Sequence, residues 1–161
     1  MIFLGIDVGL TGAIAAIDHL GHCQVHDLPT VEIAGKRMVK RRIAARDLIH
    51  LVRLLVGPQE VGTAMIEDVH MMPGGGAAAR ASLMQSRGIV EAVLEIAGAP
   101  VVTVEPSRWK RHFALIGKDK GGSREVAQRL YPRLAPDLRR VRDHNRAEAI
   151  LIAHYAQGVL A

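Results

Sequence analysis

Ile2-Phe3-Leu4-Gly5-Ile6-Asp7-Val8-Gly9-Leu10-Thr11-Gly12-Ala13-Ile14-Ala15-Ala16-Ile17 decides how the rest of the chain is arranged. Two short apolar runs, rich in β-branched residues, flank a turn that holds Gly9 and Gly12. That pattern reads as a hairpin of two buried strands. Asp7 closes the first run inside an otherwise apolar segment, where a carboxylate is costly to bury without a cation or a hydrogen-bond donor. The glycines turn the backbone sharply and leave room for a large anionic partner beside Asp7. Asp is also a common turn starter, so this stretch alone leaves Asp7 open between turn and site.

Working outward, residues 22–28 alternate well enough for a third strand, stopped by Pro29. Five bases fall in the seven residues from Lys36 to Arg42. Residues 43–56 carry Leu48, Leu51, Val52 and Leu55 at helical spacing, and Gly57-Pro58 ends them. Residues 64–69 read as a fourth buried strand that finishes in Glu67 and Asp68. A glycine-rich loop, Met72-Pro73-Gly74-Gly75-Gly76, leads to a long helix over 77–97 with Gly98 as its stop. Residues 101–104 form a short strand, and Pro106 opens a short helix that includes Trp109, Lys110 and Arg111. A helix over 123–130 follows the loop with Lys118 and Lys120. The last helix, 143–160, has an expected inward stripe of Ala147, Ile150, Leu151, Tyr155 and Val159. The order of elements predicts one α/β domain over residues 1–161, with a mixed five-stranded sheet and helices on both faces.

The composition sets bounds on function. The chain has 161 residues, 49% hydrophobic and 23% charged, which suits a globular domain with a sizeable core. A single cysteine, Cys23, excludes an internal disulfide and a multi-cysteine zinc site, and fits a reducing cytoplasm. The eight histidines form no H-E-x-x-H pair. No apolar run approaches the ~20 residues of a membrane helix, and the first run does not read as a signal peptide. Twenty-one bases against 16 acids give a formal charge of +5, a balance that favours a nucleic-acid partner.

Ligands of open α/β sheets gather at the carboxyl ends of strands. Asp7 and Glu67 both end apolar strands that could be neighbours, and Glu148 sits in the otherwise buried last helix. Adjacent strand residues face opposite ways, so only one of Glu67 and Asp68 can join Asp7. Three ionised carboxylates held together repel each other without a cation. Their hard oxygens call for Mg²⁺, with Mn²⁺ able to substitute. Two such ions about 4 Å apart are a common device for phosphodiester hydrolysis. A fourth ligand is open among Asp143, His144 and Asn145. His144 and Asn145 lie four and three positions before Glu148, on its face, while Asp143 is also a natural helix N-cap.

These residues resemble a known family. Gly5-Ile6-Asp7-x-Gly9, Ile66-Glu67-x-Val69, Gln85-x-Arg87-Gly88 and Ala147-Glu148-Ala149 stand in the order and spacing of the RuvC-like Holliday junction resolvases, within the ribonuclease-H-like superfamily. The resemblance implies a homodimeric, Mg²⁺-dependent endonuclease without a small-molecule cofactor that nicks two opposing strands of a four-way DNA junction. By position it assigns Asp7, Glu67 and Glu148 to the metal-binding carboxylates; Asp143, which matches no family position, stays a catalytic and metal-ligand candidate from the residue reading. The usual Asp of that family is Glu at 148, and its remaining acid falls on Asn145. The family's active-site lysine matches Lys120, with Lys118 the alternative, and a junction-wedging aromatic corresponds to His70. Phosphate contacts fall to Lys36, Arg37, Lys40, Arg41, Arg42, Arg80, Arg87, Lys110 and Arg111. Three rival readings remain: a nuclease of the same superfamily acting on RNA, a non-catalytic junction binder, and a nucleotide-binding module of the actin and Hsp70 type. The last needs a second lobe that 161 residues cannot supply.

Overall fold

A central strand, β1 (Ile2–Asp7), carries the architecture. It pairs antiparallel with β2 (Ala13–Asp18), which pairs antiparallel with β3 (Cys23–Asp27). The computed structural model describes residues 1–34, 40–57, 61–68 and 76–160, apart from the side chains of Val61 and Lys120. On the other side of β1 lies β6 (Val61–Glu67), parallel to it, and then β7 (Val101–Val104), parallel to β6. The five-stranded order is β3-β2-β1-β6-β7, the mixed sheet expected from the sequence.

Two further strands were not anticipated. β4 (Thr30–Ile33) and β5 (Lys40–Ile43) pair antiparallel as a separate ribbon. Only Ile43 of their eight residues is buried; Thr30-Val31-Glu32-Ile33 alternates over just four residues, and Lys40-Arg41-Arg42-Ile43 does not alternate at all. The expected helix start at Ile43 therefore moves to α1 (Ala45–Val56).

Strand alternation divides the core in two. Leu4, Ile6, Ile14, Ala16, Ala64 and Ile66 face α1 and α2 (Ala77–Ile96), meeting Leu48, Val52, Leu55, Val90 and Leu94. Phe3, Ala13, Ala15, Ile17 and Met65 face α5 (His144–Leu160), together with Trp109 of α3 (Pro106–His112) and Ala127 of α4 (Lys120–Leu130). Two short 3₁₀ turns, Pro132–Leu138 and Val141–Asp143, join α4 to α5.

α5 lies against the middle of the sheet because small residues let it approach. A Cβ on Gly5 would sit 2.2 Å from the Ala153 backbone nitrogen and 2.3 Å from the Ala149 carbonyl oxygen. Ala149, Ala153 and Ala156 are fully buried along the same line. The inward stripe of α5 is accordingly broader than expected: Ala147, Ile150 and Leu151 are buried, but Tyr155 is half-buried and Val159 is exposed.

Candidate active site

Asp7 follows Phe3 and Gly5 on the face of β1 that α5 covers, and Glu67 follows Met65 on the same face of β6. The register pairs Ile6 with Ile66, so the two acids end neighbouring parallel strands side by side. Asp68, one residue on, joins the opposite side, where the Arg87 guanidinium of α2 donates to it at 2.7 Å. Strand parity thus settles which of the two acids meets Asp7. Glu148 arrives one turn into α5, and carboxylate oxygens of Asp7, Glu67 and Glu148 lie within 4.8 Å of one another.

Three side chains hold these acids in place. The fully buried Trp109 donates its indole N–H to Glu67 Oε1 at 3.0 Å. Ser123 of α4, also buried, donates its hydroxyl to Glu148 Oε1 at 3.4 Å. The Lys110 ammonium stands 3.8 Å from Glu67 Oε1 and 4.0 Å from Glu148 Oε1, and 5.0 Å from the Trp109 ring centroid. Burial pushes the Glu67 carboxyl above the usual carboxylate range; Lys110 and the Trp109 N–H oppose that rise, and Glu148 adds to it. Oxygen donors alone, converging from three elements beside one ammonium group, fit a hard divalent cation such as Mg²⁺.

A cleft of about 320 Å³ opens over the cluster, lined by Asp7, Lys110, Leu115, Lys118, Asp119, Ser123, His144, Asn145 and Glu148. Lys110 was assigned to phosphate contact from the sequence, and the structure puts it among the acids. Nothing in the spacing identified Trp109, Ser123 or Lys110 as partners of these carboxylates. A tryptophan followed by a lysine in a helix after a strand is too ordinary a signal.

The candidates for a fourth ligand separate. Asp143 does not join the cluster: it is 3% exposed and accepts from the Arg140 backbone N–H at 2.7 Å and from Arg140 Nε at 3.0 Å. Burial works to raise its pKa, but these bonds outweigh it and hold the carboxyl below the ordinary range. Asn145 reaches the cleft and donates to the Thr11 carbonyl at 2.6 Å, tying α5 to the β1–β2 turn. His144 lines the same cleft, with its Nδ1 3.1 Å from the Val141 carbonyl oxygen.

Of the other residues singled out, Lys40, Arg41 and Arg42 are exposed along β5, Arg80 is exposed on α2 and Arg111 on α3. Arg87, assigned to DNA contact from the sequence, gives its guanidinium to Asp68 and Glu91, at 2.7 and 2.8 Å. Lys120 begins α4 directly after its Asp119 cap. Lys36, Arg37 and His70 lie outside the described residues.

No protein-family model matches the chain. Over 139 residues it is 31% identical to the chloroplastic Holliday junction resolvase MOC1 of Chlamydomonas reinhardtii, a match that covers 76% of this chain and 16% of that protein. Among solved structures it is similar to Thermus thermophilus RuvC in complex with a Holliday junction substrate. The TM-score is 0.56 at 16% identity, over 100% of this chain and 98% of that one. It is also similar to the fowlpox virus Holliday junction resolvase, with a TM-score of 0.51 at 13% identity, over 99% of this chain and 100% of that one. The resemblance read from the four sequence motifs is borne out, and the chain has the RuvC fold, with Asp7, Glu67 and Glu148 gathered at one end of its sheet.

Proposed function

We propose that this chain is a metal-dependent endonuclease that resolves four-way DNA junctions by paired nicks, leaving 5′-phosphate and 3′-hydroxyl ends. The observation that carries the reading is the set of three carboxylates from β1, β6 and α5 within 4.8 Å of one another beside Lys110. In this reading Asp7 of β1, Glu67 of β6 and Glu148 of α5 would hold the divalent ions, which when bound would supply an activated water and offset charge at the leaving 3′ oxygen.

The protein's own groups do the rest. Trp109 fixes the rotamer of Glu67, and Ser123 does the same for Glu148. Lys110 offsets the charge of the acids and would stabilise charge on a phosphate that crosses the cleft. Lys118, which also lines the cleft, adds positive charge. Exposed bases on β5, α2 and α3 hold duplex arms by phosphate contacts, without reading sequence. Two copies of the chain, one for each nick, form the working unit.

Cleavage of a labelled four-way junction, a linear duplex and an RNA–DNA hybrid in Mg²⁺, Mn²⁺ and EDTA tests the proposal. Symmetric paired nicks in the junction alone, abolished by EDTA, are the expected result. Cutting of the hybrid in preference to the junction would make the chain a ribonuclease of the same fold. Tight junction binding with no cutting in either metal would make it a binder.

A further inference from the structure

Beside the carboxylate cleft lies a second one, of about 370 Å³, lined by Leu10, Thr11, Asp27, Leu28, Arg41, Arg140, Arg142, Asp143, His144 and Asn145. His144 and Asn145 line both clefts, so the two adjoin across the first turn of α5. Leu10 and Arg41 in turn line a groove between the β4–β5 ribbon and α2, together with Lys40, Ile33 and Gln85. One continuous depression therefore runs from the acids, past the β1–β2 turn, to the ribbon. Its charge is opposite to that of the acid cluster.

The two carboxylates in the middle cleft are already matched. Asp27 takes a two-point ion pair from Arg146, at 2.6 and 2.7 Å. Asp143 takes three nitrogens of Arg140, counting its backbone N–H, and so pins that guanidinium at the rim with 49% of its side chain exposed. Four guanidinium groups thus stand against two carboxylates. Arg41, whose guanidinium donates to the Thr30 hydroxyl, and the exposed Arg142 both line the cleft.

A planar guanidinium fork suits phosphate oxygens, and a cleft lined by one sign of charge concentrates the opposite one. We infer that this middle cleft is a phosphate-binding subsite, in which Arg41, Arg140 and Arg142 receive the DNA backbone flanking the phosphate that lies over the acids. The inference rests on the nuclease reading for its ligand. It gives Asp143, outside the metal cluster, a role as the positioning residue of Arg140.

The test measures binding of a labelled four-way junction, and of a duplex equal to one arm, in EDTA, over salt from ~50 to ~200 mM. Wild type, Arg41→Gln, Arg142→Gln, and Arg53→Gln on the far side of the sheet are compared. Arg41→Gln and Arg142→Gln should each weaken binding about three- to tenfold and lower the salt slope by about one, whatever the arm sequence. Arg53→Gln should change neither. Mn²⁺ titration should give the same affinity in all four proteins, which shows that the carboxylates are intact. Unchanged affinity and slope in both cleft variants would overturn the subsite, as would failure of the wild type to bind any of this DNA. Binding with the expected slopes but no junction cutting would leave the subsite standing and overturn the nuclease reading instead.

Discussion

Glu67 is a proposed metal ligand whose carboxyl burial pushes upward. A protonated Glu67 cannot ligate a cation, so cleavage is expected to fail on the acid side at a higher pH than an ordinary glutamate would dictate. The Trp109 N–H favours the charged form, and its removal raises the carboxyl further. Trp109→Phe should therefore move the acid limb of the pH–rate profile upward, while the alkaline limb stays in place. Lys110→Gln also removes a group that favours charged Glu67, but it takes a repelling charge away from incoming cations as well. Its cleavage rate should fall on the order of a hundredfold, whereas Mn²⁺ affinity, read by titration calorimetry, holds or rises. The three acids were legible in the sequence because each interrupts an apolar run at an element end. Trp109, Ser123 and Lys110 were not, since their relation to the acids exists only once α3 and α4 fold against α5.

At the scale of elements, the site depends on how closely α5 lies on β1. Gly5→Ala places a methyl 2.2 Å from backbone that cannot step aside, so about 3 kcal/mol of stability should be lost in denaturant unfolding. Gly88→Ala on α2 meets nothing within 4 Å and should gain roughly 0.5–1 kcal/mol from helix propensity. The Gly5-x-Asp7 motif thus joins two requirements: glycine admits the helix that delivers Glu148, and Asp7 meets it. A sequence shows the pair of residues but not that contact, which spans more than 140 positions. A second tie from α5 is Arg146 to Asp27 at the end of β3, which holds the Asp27 carboxyl below its usual range. A depressed carboxylate pKa stabilises the fold above its unfolded value near 3.9, and that support is lost as the pH falls through the folded value. Asp27→Asn should be less stable than wild type at neutral pH by under about 1 kcal/mol, the side chain being 61% exposed. The difference should disappear in strong acid.

For the whole molecule, the mixed five-stranded sheet and the adjacency of β1 and β6 followed from apolar runs of the right length and from the acids that end both strands. The β4–β5 ribbon did not, because its strands are four residues each and exposed, and β5 is a run of bases that reads as a loop. That ribbon carries Lys40 and Arg41 to the clefts, so part of the net charge of +5 is gathered there. With six or more phosphate contacts, junction affinity should drop by about a thousandfold between ~50 and ~200 mM salt. The proposed paired nicks call for two copies of the chain, so a mass near twice 17.4 kDa is the expected result in sedimentation equilibrium. Among the described residues no helix is long and apolar enough to cross a membrane. The most direct test of the claim that Asp7, Glu67 and Glu148 cut a junction is a single substitution, Asp7→Asn, which keeps shape and removes charge. Junction cleavage in Mg²⁺ should fall roughly a thousandfold, with junction binding in EDTA unchanged. Cleavage at the wild-type rate would place the chemistry elsewhere on the chain.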